Sequence, residues 1–254
     1  MLASLRRFAS FFVLVGLLLA GCNAQPDEAK LEEQVLTIIR DNPEVILESV
    51  GKYQQEQQAT QAAEQEQQLA QLKTALEPYA KNPAAAIGDS PTQGSDKQTL
   101  VMYEFSDFQC PFCGRSQETV KQFMAAHGDT VTQVFKHFPL TSIHDQALPA
   151  AQAAWAAQQQ GKFWEYHDAL FANQDNLGEE LYLKIAQDLE LDIETFNSDR
   201  PKAKAAIEAD LAEGEKLGLK GTPFFTINGV PLPGAVPLQA FEAALAEAQS
   251  TQAN

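Results

Sequence analysis

Cys110 and Cys113 stand two residues apart, with Pro111 and Phe112 between them. They follow an apolar run, Leu100 to Phe105, that breaks into Ser106-Asp107-Phe108-Gln109. Such a pair can close a small disulfide. Where a strand ends and the pair opens a helix, the first sulfur sits on free backbone N–H groups that stabilise a thiolate. Pro111 suits the first helical turn, where its missing N–H costs nothing. Taken alone, the pair is open to three readings: half of a zinc site, a redox dithiol, or two unrelated core thiols. Zinc would need further ligands, but no cysteine follows Cys113, and His127, His137, His144 and His167 show no paired ligand spacing. A proline between the sulfurs at the abrupt end of a strand fits the start of a helix better than a packed strand interior.

A second feature lies far along the chain. Gly221-Thr222-Pro223 precedes Phe224-Phe225-Thr226-Ile227, a β-rich run that ends in the hairpin signal Asn228-Gly229. A Cys-Pro-x-Cys after a first strand, with Gly-Thr-Pro opening a later hairpin, resembles the thioredoxin superfamily, in particular the DsbA-type thiol:disulfide oxidoreductases of bacterial envelopes. The resemblance runs from about Pro83 to Ala248. It implies an α/β, thioredoxin-like fold over 83–250 with a helical insertion at about 146–219, and a redox-active Cys110–Cys113 pair without other cofactor or metal. It also implies a cis Thr222–Pro223 bond facing the cysteines. Cis bonds are essentially confined to proline; the alternative is a trans proline that starts an edge strand.

Length and composition bound the rest. The 254 residues allow one domain with an extension, and 44% hydrophobic residues suffice for a sizeable core. The formal charge of −16 argues against nucleic acid or anionic lipid as the partner of the folded part.

Arg6 and Arg7 precede an apolar run, Phe8 to Ala20. That run is too short for a bilayer needing roughly 20 residues and reads as an export signal. Leu19-Ala20-Gly21-Cys22 resembles the lipobox of bacterial lipoproteins, which implies that 1–21 is a signal peptide and that Cys22 carries lipid on its sulfur. The third cysteine is thereby accounted for. Asn23 after it favours, by the same resemblance, the outer membrane, with the protein facing the periplasm.

From Pro26 to Ala80 the chain lacks β signals and is rich in Gln, Glu and Ala, so residues 22–82 form an α-helical amino-terminal extension. Leu31, Val35, Ile38 and Ile39 make one apolar stripe, Asp41-Asn42-Pro43 interrupts it, and Ile46, Val50 and Tyr53 continue it. A stripe so far from the core needs another surface. The run Asn42 to Glu48 resembles the amino-terminal helices of envelope disulfide isomerases of the suppressor-of-copper-sensitivity C type, which self-associate there. This implies a homo-oligomer through residues 28–55, the alternative being packing onto the chain's own catalytic domain. Gln54 to Gln71 reads as a solvated helical spacer whose far end is capped by Leu69, Leu72 and Leu76.

By resemblance, Pro83 to Pro91 holds a short first strand and turn. Glu104 sits inside the central apolar strand, either at a wet margin or buried and moving protons. The resemblance favours burial, matching the acid that helps deprotonate the second cysteine. Asp107 reads as an ordinary turn residue. A helix after Cys113 carries Val120, Phe123 and Met124, and Val131 to Phe138 reads as a strand. Next comes a helical series: Ala147 to Trp155 and Phe163 to Phe171 each show one apolar face, and further faces follow up to Leu217. His167, on such a face, reads as a packed core histidine. Leu238, Phe241 and Leu245 mark a final helix.

These residues describe a dithiol exchange site. Cys110 would be the nucleophile and Cys113 the resolving thiol. A fall of the Cys110 pKa from about 8.5 to about 4 would favour the reduced form by on the order of 4 kcal/mol, shifting the potential by roughly 90 mV toward oxidising. Phe112 offers the thiolate no charge or side-chain hydrogen bond, unlike the histidine common in the strongest oxidases of that family, so isomerisation rivals oxidation. The partners implied are exported proteins bearing thiols or disulfides, a membrane redox partner, and the membrane through the lipid anchor. Two other readings stay open: a copper- or metal-handling thiol protein, and a lipid-anchored adaptor whose cysteines only staple the fold.

Overall fold

The computed structural model describes residues 28–252, so the signal peptide expected over residues 1–21 and the lipidation expected at Cys22 lie outside the described residues. The chain divides into two units, at Gln65 and Glu66. The first holds α1 (Glu28–Asp41) and the start of α2 (Pro43–Lys81), parted at Asn42 because Pro43 has no N–H to continue the ladder. Every residue from Glu28 to Gln65 is exposed, including the stripe of Leu31, Val35, Ile38, Ile39, Ile46, Val50 and Tyr53.

The second unit takes in the last turns of α2, where Leu76 and Tyr79 are buried and Leu72 is packed beside them, while Leu69 stays exposed. Its five strands are β1 (Thr92–Gly94), β2 (Leu100–Ser106), β3 (Val131–His137), β4 (Phe224–Ile227) and β5 (Val230–Pro233). They lie in the order β1-β3-β2-β4-β5, with β2 and β3 parallel and the other pairs antiparallel. The first strand is not at Pro83–Pro91. Pro83 and Pro91 lack donors and residues 83–90 fold as turns, so the ladder starts at Thr92.

All seven residues of β2 are buried, and alternation sends them to two cores. Leu100 and Met102 pack with Val120 and Phe123 of α3 (Pro111–His127) and with Phe241 and Leu245 of the carboxy-terminal helix, Leu238–Gln252. Val101, Tyr103 and Phe105 face Leu76, Tyr79, Val134 and Phe224. Parallel pairing of β2 with β3 requires a crossover, and α3 supplies it.

Between β3 and β4 runs the helical insertion: α4 (Ala147–Gln159), α5 (Phe163–Ala172), α6 (Glu179–Asp188), α7 (Ile193–Asp199) and α8 (Lys204–Lys216). Its core joins the alanine face of α4 to Tyr166, Leu170, Tyr182 and Phe196, with Phe108 and Phe135 from the sheet side. His167 is a core residue here, 2% exposed among Phe108, Phe135, Phe163 and Phe171. A buried ion cluster ties α8 to β3: Lys136 Nζ lies 3.3 Å from Asp210 Oδ1 and 2.9 Å from Glu213 Oε2, and Tyr79 donates its hydroxyl to Glu213. The β4–β5 hairpin turns on Asn228 and Gly229, both at positive φ (45° and 84°), the pair that a two-residue turn of this twist demands.

Candidate active site

The chain leaves β2 at Ser106 and is folded at once by Asp107. Its buried carboxylate accepts from Gln109 N (2.8 Å), Leu140 N (2.9 Å) and His144 Nδ1 (2.7 Å). Asp107 is therefore more than the ordinary turn residue expected: it pins the loop after β3 against the start of α3. Cys110 caps that helix in an extended conformation with Pro111 in the first turn, and its carbonyl accepts from Cys113 N (3.0 Å) and Gly114 N (3.2 Å).

The Thr222–Pro223 bond is cis. Gly234 N takes the Pro223 carbonyl, while the Thr222 carbonyl oxygen faces the dithiol, 3.4 Å from Cys110 Sγ. Of the residues expected to meet at the site, the fold thus brings Thr222 to Cys110. Cys110 is only 4% exposed, because its thiol turns inward toward Thr222. The exposed neighbour is Phe112, 52% accessible, with the Arg115 guanidinium 4.3 Å from its ring centre.

The two sulfurs differ sharply. A hydrogen bond from Cys113 outweighs the cost of burial and, with Thr222 and the N–H groups of Cys113 and Phe112, pulls Cys110 down to about 5. Burial pushes the Cys113 thiol well above the usual range, and the Cys110 thiolate beside it adds to the rise. The two thiols thus differ in how readily they ionise, Cys110 easily and Cys113 with difficulty.

Glu104 is fully buried, not at a wet margin. Gln117 Nε2 donates to its Oε1 (2.9 Å) and Gln133 Nε2 to its Oε2 (2.8 Å), while Gln93 donates to Gln133 in turn. Desolvation nevertheless raises its pKa, so the carboxyl holds a proton more readily than a free one. Beside Gln117 and Gln133 opens a cavity of about 320 Å³ that also reaches Lys121 and His167.

Sequence reasoning missed Gln117, Gln133, Ser106 and Gln174. Gln174, in the short turn after α5, donates to the carbonyls of Phe108 and Cys110, both at 2.8 Å. Its partners are 64 and 66 residues away, so no local pattern announces it. Ser106 was legible, two residues past Glu104 and hence on the same strand face.

Residues 86–247, well over half of the chain, match the family model described as Thioredoxin. The chain belongs to the thioredoxin family. Among solved structures, this thioredoxin-family chain is similar to a thioredoxin-like oxidoreductase from Silicibacter pomeroyi DSS-3, with 31% identity and a TM-score of 0.58 over 64% of this chain and 94% of that one. It shares its fold with the thiol-disulfide exchange protein alpha-DsbA2 of Wolbachia pipientis, at 21% identity and TM-score 0.61 over 69% and 95%. It also shares it with the catalytic domain of Proteus mirabilis ScsC, at 22% and 0.58 over 70% and 98%. A curated relative, the Na(+)/H(+) antiporter NhaA 3 of Salinispora tropica, is 35% identical over 158 residues, which are 61% of this chain and 24% of that protein. The thioredoxin-family chain thus spans about a quarter of the length of the curated relatives it matches. Among its described residues no helix is long and apolar enough to cross a membrane.

Proposed function

We propose that this chain is an envelope thiol:disulfide oxidoreductase that oxidises or isomerises disulfides in exported proteins through Cys110 and Cys113. The observation that carries the reading is the asymmetry of the pair. Cys110 stands at the start of α3 with its sulfur 3.4 Å from the Thr222 carbonyl and ionises readily, while burial makes the Cys113 thiol behind it hard to ionise. A substrate disulfide meets the Cys110 thiolate; its sulfur–sulfur bond breaks as a mixed disulfide forms, and Cys113 displaces the product. Oxidation of a substrate dithiol runs the same steps backwards. A polypeptide lying along Thr222-Pro223 would approach the pair beside the exposed Phe112 ring.

The anchoring and assembly complete the proposal. Lipid on Cys22 would hold the protein at the membrane facing the periplasm, in the outer membrane by the residue that follows it. The exposed stripe on α1 and α2 supports self-association through residues 28–55, since so much apolar surface in water is costly unless a second copy covers it. A membrane redox partner would restore the dithiol or the disulfide between turnovers.

Two measurements test the activity: the equilibrium potential of the pair against glutathione, and the refolding of scrambled ribonuclease. A potential above that of thioredoxin, about −270 mV, with recovery of the scrambled substrate, is expected. A potential as reducing as thioredoxin's rules out the oxidase, and no recovery rules out the isomerase.

A further inference from the structure

Asp107 touches both cysteines through its backbone. Its carbonyl accepts from Cys110 N (3.1 Å), and its own N–H points at Cys113 Sγ from 3.5 Å. Its side chain has no exposed surface, so a carboxylate is buried next to the pair. One oxygen takes Gln109 N, and the other takes both Leu140 N and His144 Nδ1. A carboxylate only accepts, so Nδ1 carries the hydrogen and the orientation of the ring is set. Among the described residues no lysine or arginine reaches this carboxylate, and His144 is its one ion-pair partner. The loop that carries His144 is also tied without it. Gln109 accepts from Gln146 N (2.6 Å) and donates to Asp145 Oδ1 (2.9 Å), while Leu140 N holds the start of the loop. What the imidazole adds is a counterweight to charge. A carboxylate close to a thiol opposes its ionisation, since two like charges in a poorly polarisable interior repel. Cys110 nonetheless ionises readily. A donor drawing on the Asp107 oxygen from 2.7 Å weakens that opposition.

We infer that His144 is a positioning residue of the exchange site: its Nδ1–H holds the Asp107 carboxylate, and through Asp107 it offsets a buried negative charge beside the pair that has to carry another, a role that rests on the dithiol reading above. His144 meets neither sulfur in this arrangement. It acts on Cys110 through the one residue whose backbone meets both cysteines and whose side chain gathers Gln109, Leu140 and His144. Without the donor, the carboxylate keeps two backbone N–H groups and more of its charge is felt at the pair.

In the full chain, His144→Phe keeps a ring and loses the donor, while His144→Asn puts an amide N–H near the place of Nδ1. Two readouts follow the pair: the pH midpoint of Cys110 alkylation by iodoacetamide, and the equilibrium constant of the dithiol with glutathione. His144→Phe is expected to raise the midpoint by about one unit and to move the equilibrium about ten-fold toward the disulfide form at neutral pH, which makes the pair more reducing. His144→Asn should bring both most of the way back. If the phenylalanine variant does not fold, His144→Leu takes its place in the same comparison. A lower urea midpoint with both readouts unmoved would make His144 a structural staple and overturn the inference. An asparagine variant shifted as far as the phenylalanine one would overturn it too. If Cys110 of the unaltered protein were alkylated with a midpoint near 8.5, like a free cysteine, the dithiol reading itself would fail, and the role of His144 with it.

Discussion

Gln174 reaches from the helical insertion to the carbonyl oxygen of Cys110, 2.8 Å away, and holds the first residue of the redox pair to a part of the chain that follows it by 64 residues. The same amide takes the Phe108 carbonyl. Gln174→Leu should therefore lower stability by about 1 kcal/mol, since both carbonyls can turn partly to water. Urea unfolding measures this, and an unchanged midpoint would show the contact to be idle. Gly114→Ala should act in the same direction, because a Cβ there would run into the Gln174 side chain.

Alkylation of Cys110 by iodoacetamide should rise with pH around a midpoint near 5 and be flat by neutrality, since the thiolate reacts and the thiol does not. In Cys110→Ser, Cys113 should stay inert to the reagent in the folded protein, its thiol being buried and hard to ionise. A midpoint near 8.5 for Cys110 would remove the basis of the proposed activity.

Linkage gives a second view of the same sulfur. The folded value of Cys110 lies below its unfolded value of about 8.5, so the stabilisation of the reduced form is complete above that pH and is lost as pH falls through about 5. Thermal melts of the reduced protein should gain relative to the disulfide form between these limits. A constant gap across them would contradict the depressed value.

Glu104 works in the opposite sense. Its folded pKa is raised, so its contribution is fully present below the unfolded value of about 4.3 and is lost as pH rises through the folded one. Glu104→Gln cannot ionise, and its stability relative to the parent should climb over that window. Chemical denaturation at a series of pH values decides it, a constant difference being the adverse result.

Lys136 is the counter-charge for Asp210 and Glu213, with its own side chain 5% exposed. Lys136→Met should cost about 3–5 kcal/mol at pH 8, because it strands buried carboxylates. Burial already lifts Asp210 to about 6, so protonation should make the loss smaller at pH 5. Denaturant titration at the two pH values checks both size and trend.

On α1, Ile38 is 63% exposed within the apolar stripe. If a second copy covers that stripe, Ile38→Asp should convert an oligomer to monomer in sedimentation equilibrium while leaving Cys110 alkylation unchanged. A monomeric parent would remove the self-association from the proposal.

Much of this was legible in the residues because it is local. The apolar run before Cys110, the proline between the cysteines and the Asn228-Gly229 turn each carry their conformation in their own chemistry, and the strand, helix start and hairpin stand where those signals put them. Glu104 was legible as an anomaly, a carboxylate in a run of apolar residues. The first strand was misplaced because prolines and turn residues outweighed the resemblance from which it was drawn.

What the sequence alone determined is the chemistry available: two thiols at a helix start, an acid on the preceding strand, and a proline before a hairpin. Only the tertiary structure decided how far each group departs from its ordinary behaviour. Burial, the Thr222 carbonyl, Gln117, Gln133 and Gln174 come from remote segments, and a pKa depends on the distances and dielectric that those segments create around the group, not on its neighbours along the chain.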